Sequence, residues 1–415
     1  AVPHNLYGIA TEELFIEILD NLEEVREKPL EILKDRLATM SCKAAVKGNN
    51  HLSYAEAEQL IAELLTLEDP YHCPHGRPTI ISLSKRELEK KFKKAIILTG
   101  PTAVGKTKLS ISLAKAVNGA IISADSMQVY RHMDIGSAKI RPEEMCGVPH
   151  YLIDVLDPSE EFHVVKFVEL AHEAMEKIYA AGQIPIVTGG TGFYIQALLK
   201  EVDFTESHGE LPIRKQLEEK AATEEGAAEL YRELSEVDPA SAETIHPNNV
   251  KRVIRALEYY HETGQKISEH NEEQKQKESP YCSAYFVLND ERSILYDRID
   301  RRVDQMICDG LVDEVFRLKE MGYTRDLVSM QGLGYKELFP YLAGECTLEE
   351  AVYIIKRDTR HFAKRQLTWF RREKDVIWLN KPDFDYDEEK ILSYMLDRWN
   401  EIVSADAKEE GEQSC

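Results

Sequence analysis

Residues 93–107 read Lys-Lys-Ala-Ile-Ile-Leu-Thr-Gly-Pro-Thr-Ala-Val-Gly-Lys-Thr, and few folds accommodate such a run. The apolar stretch 95–98 has the length and composition of a buried strand. It ends in Gly100-x-x-x-x-Gly105-Lys106-Thr107, and a helical repeat follows through Leu109, Ile111, Leu113, Ala114 and Val117. Strand, glycine loop and helix in that order make a phosphate-binding loop credible. The glycines leave room for backbone N–H groups to wrap a phosphate oxygen, and the helix N-terminus adds partial positive charge. Lys106 supplies a full charge, and the Thr107 hydroxyl suits a Mg²⁺ shell. The plain alternative, a tight turn that binds nothing, is weakened by the strand before the loop and the helix after it.

From residue 94 onward strands and helices alternate, which predicts an α/β fold of the P-loop NTPase-like kind, a parallel sheet flanked by helices. Residues 120–124, 151–155, 184–187 and 284–288 read as further strands. Asp125-Ser126-Met127-Gln128 follows the first of these, and Thr188-Gly-Gly-Thr191-Gly192 follows the third. The glycine loop, Asp125 and Thr191 are thus expected just past the carboxyl ends of strands, which face one crevice in an open parallel sheet. Residues 201–279, rich in Glu, Lys and Ala, read as a helical insertion. Leu211-Pro-Ile-Arg214 opens one of its helices and His246-Pro-Asn-Asn another, with Lys251 and Arg255 on one face; residues 265–279 read as a polar connection without periodicity. Residues 280–380 return to the core. They include a helix with Arg298 and Arg302 broken at Gly310, a glycine-containing loop over 330–336, and a long helix capped by Thr347-x-x-Glu350. The expected division is 94–200 and 280–380 for the core, 201–279 for the insertion, and 381–415 for an acidic tail of one helix and a disordered end.

The net charge of −22, read globally, argues against a nucleic-acid partner. It is unevenly spread. Residues 383–415 hold eleven acidic and three basic side chains, whereas residues 356–374 hold eight basic and two acidic, and local charge decides phosphate contacts. On the long helix Lys356, Arg360 and Lys364 form a basic stripe, with Val352, Ile355 and Phe362 on an apolar one and Trp369, Phe370, Arg371 and Arg372 beyond. A solvated face is the bland reading of that stripe. Seven scattered cysteines suit a reducing compartment, and no membrane-length apolar run or signal-peptide pattern is present, so a cytoplasmic protein is expected.

Residues 1–93 form a block of their own, an α+β fragment. Leu14, Phe15, Ile18, Leu19 and Leu22 repeat with helical period, and Ser53-x-x-Glu56 is a capping box before a helix with Leu60, Ile61, Leu64 and Leu65 on one face. Ser41-Cys42-Lys43 and Cys73-Pro74-His75-Gly76-Arg77-Pro78 resemble two endonuclease motifs in the C-terminal domain of the mismatch-repair protein MutL, and Glu87-Leu-Glu-Lys-Lys-Phe92 resembles its C-terminus. The Asp-Gln-His-Ala-x-x-Glu metal segment of that family is absent. Cys73 and His75 are two ligands where zinc takes three or four, so neither nuclease activity nor bound zinc is expected. The block begins on Ala1 rather than Met, as expected of a piece of a longer reading frame, and meets the next unit at residues 92–95 without a polar or Pro/Gly linker. Such a join is expected of a passenger segment, fused naturally or through a lost stop codon.

Taken alone, the glycine loop leaves kinases, ATPases and diphosphate enzymes open. Further motifs occur in order: Asp125-Ser-Met-Gln-Val-Tyr130, Asp134-Ile-Gly136, Val148-Pro-His-Tyr-Leu-Ile-Asp154, Gly189-Gly-Thr-Gly-Phe-Tyr194, Arg252-Val-Ile-Arg-Ala-Leu-Glu258 and Lys364-Arg-Gln-Leu-Thr-Trp-Phe370. Together with the loop they resemble MiaA, the tRNA dimethylallyltransferase (isopentenyltransferase) family, over residues 95–379. The resemblance implies transfer of a dimethylallyl group from its diphosphate to N6 of adenosine 37, just 3′ of the anticodon, in tRNAs that read codons beginning with U. It implies Mg²⁺ as the cofactor, and a monomer that docks the anticodon stem-loop. It implies Asp125 as general base, with Lys106 and Thr107 in the catalytic set and Thr107 reaching Mg²⁺ at the diphosphate. Diphosphate binding falls to Gly100, Pro101, Thr102, Ala103, Val104, Gly105, Lys106, Thr107 and Arg302. Contacts to tRNA fall to Asp125, Ser126, Met127 and Gln128, to Thr191 and Arg214, to Lys251, Arg252, Val253, Ile254 and Arg255, and to Gln331, Gly332, Leu333, Gly334, Tyr335 and Lys336. Phe193 stands where Leu is usual in the family, and Gly332 where a larger residue is common.

The residues suit that chemistry in their own right. A diphosphate leaving an allylic carbon builds negative charge that N–H groups, Lys106, Arg302 and Mg²⁺ stabilise. An exocyclic adenine amine is a poor nucleophile, and a carboxylate such as Asp125 can take its proton as the new bond forms. A small-molecule kinase and a mismatch-repair interaction module are the alternative classes; the first would move phosphate from ATP, and the second would need the missing metal segment.

Overall fold

The computed structural model describes residues 54–66, 93–201, 212–277 and 279–412. The expected helix through Leu14 and the Ser41 and Cys73 motifs lie outside these residues, as does Ser53 of the capping box. The chain divides into two units, residues 1–85 with 404–415 and residues 86–403. In the first, helix α1 (Tyr54–Leu64) forms after the expected cap; its Leu60 and Ile61, and Leu65 just beyond it, are exposed.

The second unit opens with β1 (Lys94–Thr99), α2 (Lys106–Val117), β2 (Gly119–Ala124), β3 (His150–Tyr151), α3 (Val164–Ala180), β4 (Ile184–Gly189) and α4 (Gly192–Lys200). The insertion follows as α5 (Pro212–Lys220), α6 (Glu224–Val237), α7 (Pro239–Thr244), α8 (Val250–Thr263) and α9 (Ile267–Gln276). The rest is β5 (Cys282–Asn289), α10 (Arg292–Cys308), α11 (Leu311–Glu320), α12 (Leu338–Leu342), α13 (Leu348–Phe370), β6 (Val376–Asn380) and α14 (Glu388–Glu412), whose residues from 404 onward are counted with the first unit. The six strands are parallel in the order β3-β2-β4-β1-β5-β6, which puts β1 inside the sheet. Ile97 pairs with Val187 on one side and Tyr285 on the other. Ala95 and Ile97 point into the core on one face of the sheet, and Ile96 and Leu98 into the core on the other. Burial on both faces is why these strands read as continuous apolar runs instead of alternating ones.

Four elements differ from expectation. The strand expected over 151–155 is only the two residues of β3, because Leu152 and Asp154 adopt positive φ (62° and 55°), which ends extended backbone. Residues expected as an irregular connection form α9, which a distant carboxylate organises: buried Asp238 accepts hydrogen bonds from the Ser268 backbone N–H (3.0 Å) and hydroxyl (2.6 Å). Strand β6 was not anticipated; it is half-buried at the sheet edge. The acidic tail contributes to the core, since Ile391, Met395 and Trp399 on α14 are buried at helical spacing. Each such side chain contributes roughly 1.5–3 kcal/mol through burial. The insertion has a core of its own, built on Leu217, Leu230, Leu234, Val253, Ile254 and Leu257.

Candidate active site

The glycine loop leaves β1 at Thr99, whose hydroxyl donates to the Gly189 carbonyl (2.7 Å) and so ties the ends of β1 and β4 together. Gly100 has φ of 146°, and a Cβ there would lie 2.3 Å from the Leu288 carbonyl oxygen, so no larger residue fits. Gly105, at φ of 101°, is the N-cap of α2. No side chain caps that helix and its first turn holds no acidic residue, which leaves its free N–H groups and its positive end open to an anion. Lys106 Nζ turns back onto the loop, donating to the carbonyls of Gly100 (2.9 Å) and Pro101 (2.8 Å). Burial lowers the pKa of this ammonium to about 7, with Asp125 opposing the shift and Arg302 adding to it.

Asp125 stands at the carboxyl end of β2, where its Oδ1 accepts from the backbone N–H groups of Met127 (2.8 Å) and Gln128 (3.3 Å). Arg302 reaches the same point from α10; burial lowers its pKa and the Asp125 carboxylate raises it. A cavity of about 400 Å³ lies over the loop, bounded by Lys106, Thr107, Asp125, Arg298 and Arg302. A second cavity of about 360 Å³ is lined by Ser126, Met127, Thr191, Gln331, Leu333 and Lys336. Asp125 and Arg302 line both cavities, as do Thr102, Gly190, Phe362 and Gln366. A carboxylate and a guanidinium therefore stand where the cavity over the glycine loop meets a cavity lined by three chain segments distant in sequence.

Two side chains at the site carry no role in the sequence reading. Gln366 on α13 is buried and braces the loop: its Oε1 accepts from the Thr102 N–H (2.9 Å) and its Nε2 donates to the Gly190 carbonyl (3.0 Å). It lies in a motif that the sequence singled out, with no role attached. Arg298, one turn before Arg302, lines the cavity over the loop and is held by buried Asp290 at 2.6 Å. The four-residue spacing to Arg302 was its only signal.

The segments expected to contact RNA divide by exposure. Gln331 is exposed, and Leu333 and Lys336 are half-buried. Tyr335 is buried, with its hydroxyl donating to Glu314 (2.7 Å), and the Gly334 N–H is held by Glu337 (2.9 Å). Gln128 lines the cavity over the loop while its amide donates to the carbonyls of Ser137 (3.4 Å) and Ala138 (3.3 Å). On the insertion, Lys251 and Arg252 are exposed, whereas Val253 and Ile254 are packed in its core. Arg255 and Arg214 both reach the buried Glu258, at 2.8 and 3.6 Å. These insertion residues line neither cavity. The basic stripe on α13 is partly neutralised: Lys356 pairs with Asp304 (2.6 Å) and Arg360 with Asp300 (2.5 Å), both on α10.

A family model described as IPP transferase matches residues 128–373. The chain belongs to the IPP transferase family. A second model, isopentenyl transferase, matches residues 93–160 of this IPP transferase. The tRNA dimethylallyltransferase of Lachnoclostridium phytofermentans is 67% identical over 301 residues, covering 72% of this chain and 96% of that protein. The tRNA dimethylallyltransferase of Acetivibrio thermocellus is 51% identical over 303 residues, with the same coverage of each. Among solved structures, the full-length tRNA isopentenylpyrophosphate transferase of Bacillus halodurans has a TM-score of 0.58 at 44% identity, covering 77% of this chain and 99% of that one. A eukaryotic dimethylallyltransferase solved acting on tRNA has a TM-score of 0.62 at 35% identity, covering 69% and 74%. A Cβ on Gly332 would lie 2.4 Å from Met127 Sδ, so Met127 occupies the space that a larger residue would take.

Proposed function

We propose that this chain transfers the dimethylallyl group of dimethylallyl diphosphate to N6 of adenine 37 in tRNAs that read codons beginning with uridine, and that it acts in the cytoplasm as a monomer on the anticodon stem-loop. The observation that carries this reading is the position of Asp125 and Arg302 at the junction of the two cavities. The diphosphate takes the cavity over the glycine loop, and the adenine takes the second.

The loop N–H groups, Lys106 and Arg302 stabilise the negative charge that develops on the diphosphate as the allylic C–O bond breaks. Lys106 exchanges two neutral carbonyl acceptors for anionic oxygens, a stronger charge-assisted hydrogen bond. Val303, Met306, Ile355 and Phe362 give the second cavity an apolar wall suited to a five-carbon chain. Asp125 takes the N6 proton as the C–N bond forms, and its fixed Oδ1 sets the orientation of the carboxylate. Extruding the adenine costs a few kcal/mol, which contacts to the unpaired loop offset.

Among the described residues no three His, Cys, Asp or Glu side chains cluster as a metal site. A Mg²⁺ ion fits the loop in the way it fits other phosphate sites, through the Thr107 hydroxyl at the start of α2 and the diphosphate oxygens. When bound it would neutralise charge on the leaving group.

The test is incubation of the full chain with dimethylallyl diphosphate and unmodified tRNA, followed by nucleoside analysis. The expected product is N6-(dimethylallyl)adenosine at position 37. Label moving from ATP to a small molecule, with no modified nucleoside, would instead support the kinase alternative and overturn this reading.

A further inference from the structure

Lys381 has no part in the chemistry set out above, yet it lies against the glycine loop. Strands β5 and β6 end in register, with Asn289 beside Asn380, and Asp290 and Lys381 are the next residue on each. Lys381 opens a short 3₁₀ turn, Lys381–Phe384, and is only 8% exposed. A Cβ on Gly105 would lie 3.0 Å from its Nζ, so the ammonium fills the place beside the N-cap of α2 where a larger residue would put its side chain. Two carboxylates act on this lysine, and both are engaged elsewhere. Asp290 accepts from Arg298 (2.6 Å) and from the Glu291 N–H (2.8 Å), and Glu388 pairs with Lys108 (2.7 Å). The Lys381 ammonium itself forms no hydrogen bond or ion pair with a described residue.

A buried cation in that place is unfavourable on its own. Burial lowers its pKa, and Arg298 and Lys108 add to the shift against Asp290 and Glu388. The N-terminus of α2 carries partial positive charge of its own, with no acidic residue in its first turn to offset it. An anion on the loop turns all of these repulsions into a set of cations around one charge. The charges that bear on Lys106 are Asp125 and Arg302, whereas those that bear on Lys381 are Arg298, Asp290, Glu388 and Lys108. Lys381 thus marks the end of the loop away from the base. We propose that Lys381 binds the terminal phosphate of the diphosphate, its ammonium passing from the Gly105 backbone to a phosphate oxygen, while Lys106 and Arg302 face the phosphate that carries the breaking bond. This rests on the reading of the cavity over the glycine loop as the diphosphate site. Negative charge develops chiefly on the phosphate next to the allylic carbon, so a contact to the outer one holds substrate and transition state alike.

The test compares the full chain with Lys381→Met, which keeps the stem and removes the charge, and Lys381→Arg, which keeps the charge. Binding of inorganic pyrophosphate, the thermal midpoint of the free protein, and steady-state transfer from dimethylallyl diphosphate are measured, with binding of an anticodon stem-loop RNA as the control. Lys381→Met is expected to weaken pyrophosphate binding about tenfold, the usual worth of one charged hydrogen bond, and Lys381→Arg to restore most of it. KM for dimethylallyl diphosphate is expected to rise by the same factor in Lys381→Met with kcat nearly unchanged, as for loss of uniform binding. The midpoint of free Lys381→Met is expected to equal or exceed that of the wild type, because an uncompensated buried cation is gone, and RNA affinity is expected to stay the same. Unchanged pyrophosphate affinity in Lys381→Met, with prenyl transfer by the wild type intact, would overturn the contact and leave the proposed reaction standing. Pyrophosphate affinity that depends on Lys381 in a protein that transfers no prenyl group would support the contact and overturn the reaction. A fall in kcat at unchanged KM would overturn the placement at the terminal phosphate. A lower midpoint in free Lys381→Met, with RNA and pyrophosphate affinity lost together and no rescue by Arg, would show a structural lysine and overturn the contact as well.

Discussion

Lys106 is charged at the cost of burying an ammonium, and its neighbours decide how much of that charge survives near neutral pH. Burial lowers its pKa to about 7, Asp125 pushes back, and Arg302 reinforces the shift. A bound diphosphate places anionic oxygens against it and raises the pKa again. Below pH 7 the free protein already carries the proton, so binding takes up none at this site. Above pH 7 binding must take one up, and affinity is expected to fall as pH rises. Dimethylallyl diphosphate has shed its own protons by pH 8, since its last phosphate pKa lies near 6. Calorimetry at pH 8 in buffers of different ionisation enthalpy is expected to read uptake of about one proton per diphosphate bound. Lys106→Met is expected to abolish the uptake and weaken binding; proton-neutral binding by the wild type at pH 8 would contradict this assignment.

Among the elements, α11 does the least visible work. Its buried Glu314 accepts hydrogen bonds from the backbone N–H groups of Asp134 (3.0 Å), Ile135 (2.8 Å) and Gly136 (3.2 Å), and from the Tyr335 hydroxyl (2.7 Å). One carboxylate thus joins the loop after β2 to the segment lining the second cavity. Glu314→Ala leaves those donors unpaired in the interior and is expected to cost about 3–5 kcal/mol, read as a lower urea midpoint. Glu314→Gln, which keeps one acceptor oxygen, is expected to cost less, and an unchanged midpoint in the Ala variant would contradict the brace. Glu314 also marks where sequence reading stops. Strands β1, β2, β4 and β5 and the glycine loop were legible because a doubly covered parallel strand is a plain apolar run. Asp125 and Thr191 were legible because they follow such runs at once. Glu314, Gln366 and the Asp238 cap on α9 were not, because each acts on backbone far away in the chain and leaves no local periodicity. The stripe through Lys356 and Arg360 was visible as charge, but the carboxylates of α10 that neutralise it were not. Val253, Ile254 and Tyr335 lie in segments that the resemblance assigns to RNA, and spacing alone could not show that their side chains face the interior.

At the scale of the whole chain, the two family models together span residues 93–373, and 301 aligned residues span nearly the full length of a relative. On this basis we propose that residues 1–93 take no part in transfer. Residues 94–415 expressed alone are expected to match the full chain in prenyl transfer, and neither form is expected to bind zinc in stoichiometric amount; a large loss of activity on truncation would make the segment part of the enzyme. Residues 94–403 hold a parallel sheet whose carboxyl edge brings one carboxylate, Asp125, to the junction of the cavity over the glycine loop and the second cavity. The direct test of that arrangement is single-turnover transfer from dimethylallyl diphosphate to an anticodon stem-loop by Asp125→Asn. The rate is expected to fall about 10²–10⁴-fold, the usual worth of a positioned general base, with affinity for RNA and for pyrophosphate nearly unchanged. A rate close to that of the wild type would contradict the placement of the base, and with it the assignment of the two cavities.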